Sequence, residues 1–242
     1  MRQHRPPQSR PGPGAAPRPG GPPDLRVLFL GSSLTYNNEM PLLVQAFARA
    51  VGKNVDVVTV AKGGFSFEDH CKKGAALSTL RKGPWDYVVM QQGPSTLTAS
   101  RRNMREWARR LADPIKQAGA RPALYMVWPG EDRLDYFDEV RISYQLTAED
   151  IGGMLIPAGE AWRAAWRRDP DVPLYRRDRE HPSGTGSFLV ALSIFGMLLS
   201  RSPVGLPAKV QLSSGSFAQV TPELAKLLQE SAAEANATYG RR

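Results

Sequence analysis

The sequence predicts a single α/β domain, a three-layer α/β/α sandwich around a flavodoxin-like, five-stranded parallel sheet. Three observations carry that expectation. Short apolar runs alternate along the chain with stretches of helical spacing, the pattern of strands joined by crossover helices. The first run, Leu25 to Leu30, is apolar but for Arg26 and closed by Gly31, as befits a strand buried on both faces. The length of 242 residues, less an N-terminal tail, fits one domain better than two.

Residues 1–23 concentrate Pro and Gly with almost nothing apolar, and so cannot bury enough surface to offset their chain entropy. They read as a disordered tail, with the folded domain spanning 24–242. Further strands are expected at Val55 to Val60, Tyr87 to Met90, Ala123 to Val127 and Met154 to Pro157. Helices are expected at Met40 to Val51, Phe67 to Leu80, Ser100 to Gln117, Leu134 to Asp150, Gly159 to Arg167, Gly184 to Leu199 and Pro222 to Asn236. Thr221 before Pro222 is a good helix start, because Thr caps and Pro suits the first turn.

The formal charge of +9 suggests an acidic partner until its distribution is considered. Arg2, Arg5, Arg10 and Arg18 belong to the tail, and pairs such as Arg101/Arg102, Arg109/Arg110 and Arg167/Arg168 are dispersed on helices. No basic strand interleaved with aromatics appears, which argues against nucleic-acid binding. The single Cys71 rules out an internal disulfide, and no apolar run approaches membrane-spanning length. The N terminus lacks the apolar stretch of a signal peptide, so a cytoplasmic location is the default expectation.

Directly after the first strand comes Gly31-Ser32-Ser33-Leu34-Thr35-Tyr36, a tight turn into a helix that lifts a hydroxyl clear of the sheet. By itself such a turn more often only caps its helix, through Ser32, Ser33 or Thr35. Far downstream lies Asp178-Arg179-Glu180-His181-Pro182-Ser183. A carboxylate three residues before a histidine can accept from one ring nitrogen and leave the other free to take a proton from a serine. The other two histidines are weaker candidates: His4 lies in the tail, and His70 sits within a helix where packing is its ordinary role.

These blocks resemble the SGNH (GDSL-type) hydrolase superfamily of esterases, lipases and acetylesterases. Leu28 to Thr35 is similar to the family's first block, with Ser33 at the nucleophile position and Ser32 where an aspartate is usual. Asp178 to Ser183 matches the last block, so the resemblance makes His181 the base and Asp178 its orienting partner. In the second block, Lys62-Gly63-Gly64-Phe65-Ser66, it assigns an oxyanion amide to Gly64, with Gly63 the alternative. The third block departs from the family pattern: Gln91-Gln92-Gly93-Pro94-Ser95-Thr96 lacks the usual asparagine. It resembles the Gln-Gly block of sialate-type acetylesterases, with Gln92 as the side-chain donor and Ser95 as the fallback.

The resemblance thus implies a serine esterase acting on a carboxylic ester, with an oxyanion hole of Ser33, Gly64 and Gln92 and no metal or cofactor. Tyr36, Asn37, Phe65 and Trp128, with Trp162 and Tyr175, are candidate substrate contacts, although packing is the commoner role of such aromatics. An O-acetyl carbohydrate is the first substrate expected and a short-chain acyl ester the second. Two alternatives stand beside this reading: a catalytically silent carbohydrate-binding module on the same fold, and a basic surface-binding protein working through its arginine tail.

Overall fold

The computed structural model describes residues 21–241. Residues 1–20 of the expected tail lie outside that range. Five strands form one parallel sheet: β1 (Leu25–Gly31), β2 (Val55–Ala61), β3 (Tyr87–Met90), β4 (Arg121–Tyr125) and β5 (Met154–Ile156), in the order β2-β1-β3-β4-β5. The register sets Leu30 opposite Val60 on one side and Met90 on the other. Val27 to Leu30 are at most 2% exposed, as their continuous apolar run requires. The order reverses direction at β1, and the crevice outside the carboxyl ends there is where open α/β sheets bind ligands.

The helices are α1 (Ser33–Tyr36), α2 (Met40–Ala50), α3 (Phe67–Lys72), α4 (Ala75–Leu80), α5 (Thr98–Gln117), α6 (Phe137–Ile151), α7 (Ala158–Arg168), α8 (Gly184–Leu198) and α9 (Pro222–Tyr239). α2, α7, α8 and α9 pack together in one layer, and α3, α5 and α6 in the other. α8 is apolar all round, and every residue from Gly186 to Leu198 is buried, so it serves as the central helix of its layer. Thr221 caps α9 by accepting from the Leu224 amide, with Pro222 in the first turn.

Two expectations need correction, and one element is new. The helix expected over Phe67 to Leu80 is two helices, because Gly74 adopts a left-handed φ of +79° between them. The helix expected from Leu134 starts at Phe137, after a 3₁₀ segment at Glu131–Tyr136 whose Arg133 departs from helical dihedrals. An antiparallel hairpin, β6 (Lys209–Gln211) and β7 (Phe217–Gln219), is not anticipated, since its short, partly exposed strands lack the all-apolar run that marks β5.

The first turn of α8 presses close to its neighbours. A Cβ at Gly186 would lie 2.3 Å from the Leu174 carbonyl oxygen and 2.7 Å from the Trp162 ring. Gly186→Ala is therefore expected to destabilise the fold by about 1–3 kcal/mol, measured by urea unfolding.

Candidate active site

β1 stops at Gly31, and the chain turns at once into α1. Ser32 is the N-cap: its hydroxyl accepts from the Leu34 amide and its carbonyl accepts from the Thr35 amide. Capping by Ser32 and burial of Thr35 leave Ser33, the first helical residue, with its hydroxyl directed elsewhere. Ser33 Oγ lies 2.9 Å from His181 Nε2. The other ring nitrogen, Nδ1, lies 3.1 Å from Asp178 Oδ2.

The segment bearing the histidine is a closed loop. Arg176 N donates to the His181 carbonyl at 2.8 Å, and Arg179 turns the chain at a left-handed φ of +63°. Asp178 Oδ1 accepts from the amides of His181 (2.8 Å) and Glu180 (3.0 Å). Those two backbone bonds, above all the one from His181, hold the Asp178 carboxyl below the usual carboxylate range, so it stays ionised opposite the imidazole. From below, Trp128 Nε1 donates to the Glu180 carbonyl at 3.2 Å, and Trp128 stacks on Trp162 with ring centroids 3.6 Å apart.

Asn38 ties this loop to the serine turn. Its backbone sits at a left-handed φ of +55°, and Nδ2 is within 3.0 Å of the Pro182 and Ser183 carbonyls and 2.8 Å from Ser187 Oγ. Its Oδ1 accepts from Arg176. A short polar side chain tolerates this backbone region, which makes asparagine apt here.

Ser33 and His181 open on a cavity of about 800 Å³, whose lining includes Gly64, Phe65, Gln92 and Trp128. Gly64 follows β2 at φ +73°, with open space where a Cβ would be, so its glycine is required by backbone conformation and not by crowding. Gln92 is buried. Its Oε1 accepts from Phe67 N at 2.9 Å, which turns Nε2 toward Ser95 Oγ, also at 2.9 Å. A carboxamide nitrogen has two protons, so one remains for a ligand. Ser95 Oγ donates in turn to the Gly93 carbonyl, and its only proton is committed there.

Several sequence candidates fall elsewhere. Tyr36, 44% exposed, and Asn37 are not among the cavity's lining residues. Trp162 and Tyr175 pack against each other beneath the base loop, and Tyr175 donates to the Pro129 carbonyl. His70 is buried and places Nε2 3.0 Å from the Gly31 carbonyl; burial pushes its pKa down, so a neutral ring donates to that oxygen. Asn38, whose side chain bonds the base loop, and Gln91, which bonds Ser32 and Thr35, are not singled out by sequence. The one available signal was a run of polar residues immediately after β1 and β3. Among the described residues no three His, Cys, Asp or Glu side chains gather as around a metal ion, and no helix is long and apolar enough to cross a membrane.

A parallel sheet of this order, with serine and histidine on its carboxyl rim, fits the resemblance to SGNH hydrolases, and a solved structure bears that resemblance out. A protein from Slackia heliotrinireducens described as an SGNH hydrolase is 28% identical, with a TM-score of 0.61 over 72% of this chain and 98% of that one. A DUF4886 family protein from Bacteroides uniformis superposes with a TM-score of 0.67 at 18% identity, over 88% and 95% of the two chains. An acetylxylan esterase from Geobacillus stearothermophilus gives 0.56 at 15% identity, over 71% and 93%. Neither a protein-family model nor a curated relative matches the sequence. Other proteins that share the fold include an esterase from Pseudoalteromonas and a lipase/acylhydrolase from Enterococcus faecalis, at 17% and 18% identity.

The loop bearing Gly64 is anchored by a capping box, in which Ser66 Oγ faces Asp69 N while Asp69 accepts from Ser66 N and Oγ. Ser66→Ala should cost about 1 kcal/mol in thermal unfolding. Lys73 first, then the Ser66 amide and hydroxyl, hold Asp69 far below its ordinary pKa. Stabilisation from a carboxyl depressed in this way is present above its unfolded pKa and drains away as pH falls through the folded value. The stability gap between wild type and Asp69→Asn should accordingly be level above about pH 5 and shrink progressively as pH falls below about 4.

Proposed function

We propose that the protein hydrolyses carboxylic esters by nucleophilic catalysis at Ser33. The observation that carries this reading is the chain of contacts from Ser33 Oγ through both nitrogens of His181 to Asp178, at 2.9 and 3.1 Å, opening on a cavity. Ser33 Oγ attacks the ester carbonyl while His181 Nε2 takes its proton, and Asp178 holds the imidazole in the tautomer that leaves Nε2 free to accept. The carbonyl oxygen gains negative charge in the tetrahedral intermediate, stabilised by the amides of Ser33 and Gly64 and the free proton on Gln92 Nε2. Collapse passes the histidine proton to the leaving alcohol. Water then repeats the sequence on the acyl-serine and regenerates the hydroxyl.

An acetyl ester of a hydroxyl-rich carbohydrate is the substrate class we favour. Support comes from the mixed lining of the open cavity, where Ser66, Ser95 and Ser100 alternate with Phe65, Pro94 and Trp128, and from the acetylxylan esterase among the structural relatives. A short-chain acyl ester is the second choice.

Steady-state hydrolysis of p-nitrophenyl acetate tests the assignments. Ser33→Ala and His181→Ala are each expected to lower kcat at least about a thousandfold; undiminished turnover in either overturns its role. Gln92→Ala should cost roughly a hundredfold, and Ser95→Ala much less, because the Ser95 hydroxyl proton is already committed to Gly93. Asn38→Ala, by loosening the base loop against the serine turn, should lower kcat roughly ten- to a hundredfold with little change in KM.

A further inference from the structure

Beneath the serine turn lies a buried carboxamide that the proposed cycle does not use. Gln91, at the end of β3, is 0% exposed. Its Oε1 accepts from Ser32 N at 2.9 Å and from Thr35 Oγ1 at 2.9 Å, while Nε2 lies 3.0 Å from Ser32 Oγ. The amide's orientation is dictated, since a backbone N–H can only donate and the oxygen must therefore face Ser32 N. Tyr125 OH, 2.8 Å from Thr35 Oγ1, closes the network from β4. Complete burial pushes the Tyr125 phenol well up, so it stays protonated and donates to Thr35, whose own proton goes on to Gln91.

Gly31 makes room for this network. A Cβ there would lie 2.0 Å from Thr35 Oγ1 and 2.8 Å from Gln91 Oε1, closer than any real contact. Its carbonyl is held from the other side, by Lys62 N at 3.2 Å and His70 Nε2 at 3.0 Å. The two residues before Ser33 are thus fixed at amide, hydroxyl and carbonyl. The Ser32 and Leu34 amides have partners within the protein, and among the described residues no group takes the Ser33 amide.

We infer that Gln91 is a positioning residue for the serine: its carboxamide locks Ser32 and Thr35 so that the Ser33 hydroxyl meets His181 and the Ser33 amide stays free for an oxyanion. The inference rests on the reading of Ser33 as nucleophile. Gln91 touches no substrate and acts only through the turn. A network with every member paired rigidifies its surroundings, whereas removal of the carboxamide leaves the Ser32 amide and the Thr35 hydroxyl short of an acceptor in a buried place.

The test compares wild type, Gln91→Leu, Thr35→Val and the double variant. The readouts are kcat and KM for p-nitrophenyl acetate, the second-order rate of labelling by a fluorophosphonate, and the thermal midpoint. Gln91→Leu is expected to lower kcat and the labelling rate together, roughly ten- to a hundredfold, with KM within about threefold of wild type. Thr35→Val should show a smaller loss of the same kind, and the double variant should be no worse than Gln91→Leu alone, because both act through one network. A wild type labelled at Ser33 alongside a Gln91→Leu variant of unchanged labelling rate and kcat overturns this inference alone. An inert, unlabelled wild type overturns the ester reading and the inference with it. If Gln91→Leu fails to fold, Thr35→Val decides: impaired labelling at an unchanged midpoint supports the role, and a wild-type rate refutes it.

Discussion

The contact between Ser33 Oγ and His181 Nε2 joins residues 148 positions apart in sequence, and much of the molecule serves to hold it. Ordering two distant segments against each other costs chain entropy that one hydrogen bond cannot offset. The cost is met by burial of the elements that carry or adjoin them: β1 at the switch point of the sheet, and α8 sunk into its layer from Gly186 to Leu198. Asn38 and Ser187 then connect the two ends directly. What remains for the functional site is fine placement, achieved with buried polar groups whose partners are each specified.

The aromatic cluster beneath the base loop belongs to that placement. Trp128, Trp162, Trp166 and Tyr175 stack and pack edge to face, and Trp128, Trp166 and Tyr175 each donate to a loop carbonyl. Large rigid rings supply burial, and their N–H and O–H groups fix the direction of the chain above them. The surface chemistry is of a different kind. Arg105 and Arg109 share Asp150, and Arg167 and Arg168 share Glu234, so much of the positive charge is spent in local pairs on helix faces. Exposed pairs of this sort contribute little to stability.

The sheet and the serine, histidine and aspartate were legible because each leaves a local mark. A strand buried on both faces reads as an apolar run, as Leu25 to Leu30 does with the one exception of Arg26, and Asp178 and His181 lie three residues apart in one loop. Gln91 and Asn38 were not legible, because their partners lie across strands or on a distant loop and nothing local distinguishes them from ordinary polar residues. The two neighbouring glutamines illustrate the limit. Both follow the same strand, yet Gln91 turns under β1 toward Ser32 while Gln92 reaches toward α3 and the cavity. Proximity to Ser33 makes Tyr36 and Asn37 candidate substrate contacts in the sequence, but the turn carries them outside the cavity lining. Hydrophobic periodicity reports which face is buried and says nothing of which polar group answers which.

The most direct measurement is a crystal structure of the protein after reaction with a fluorophosphonate. The account predicts a covalent bond from Ser33 Oγ to phosphorus, with the phosphoryl oxygen about 3 Å from the amides of Ser33 and Gly64 and from Gln92 Nε2. Phosphorus on another residue, or a phosphoryl oxygen turned to solvent with those donors unengaged, would contradict it.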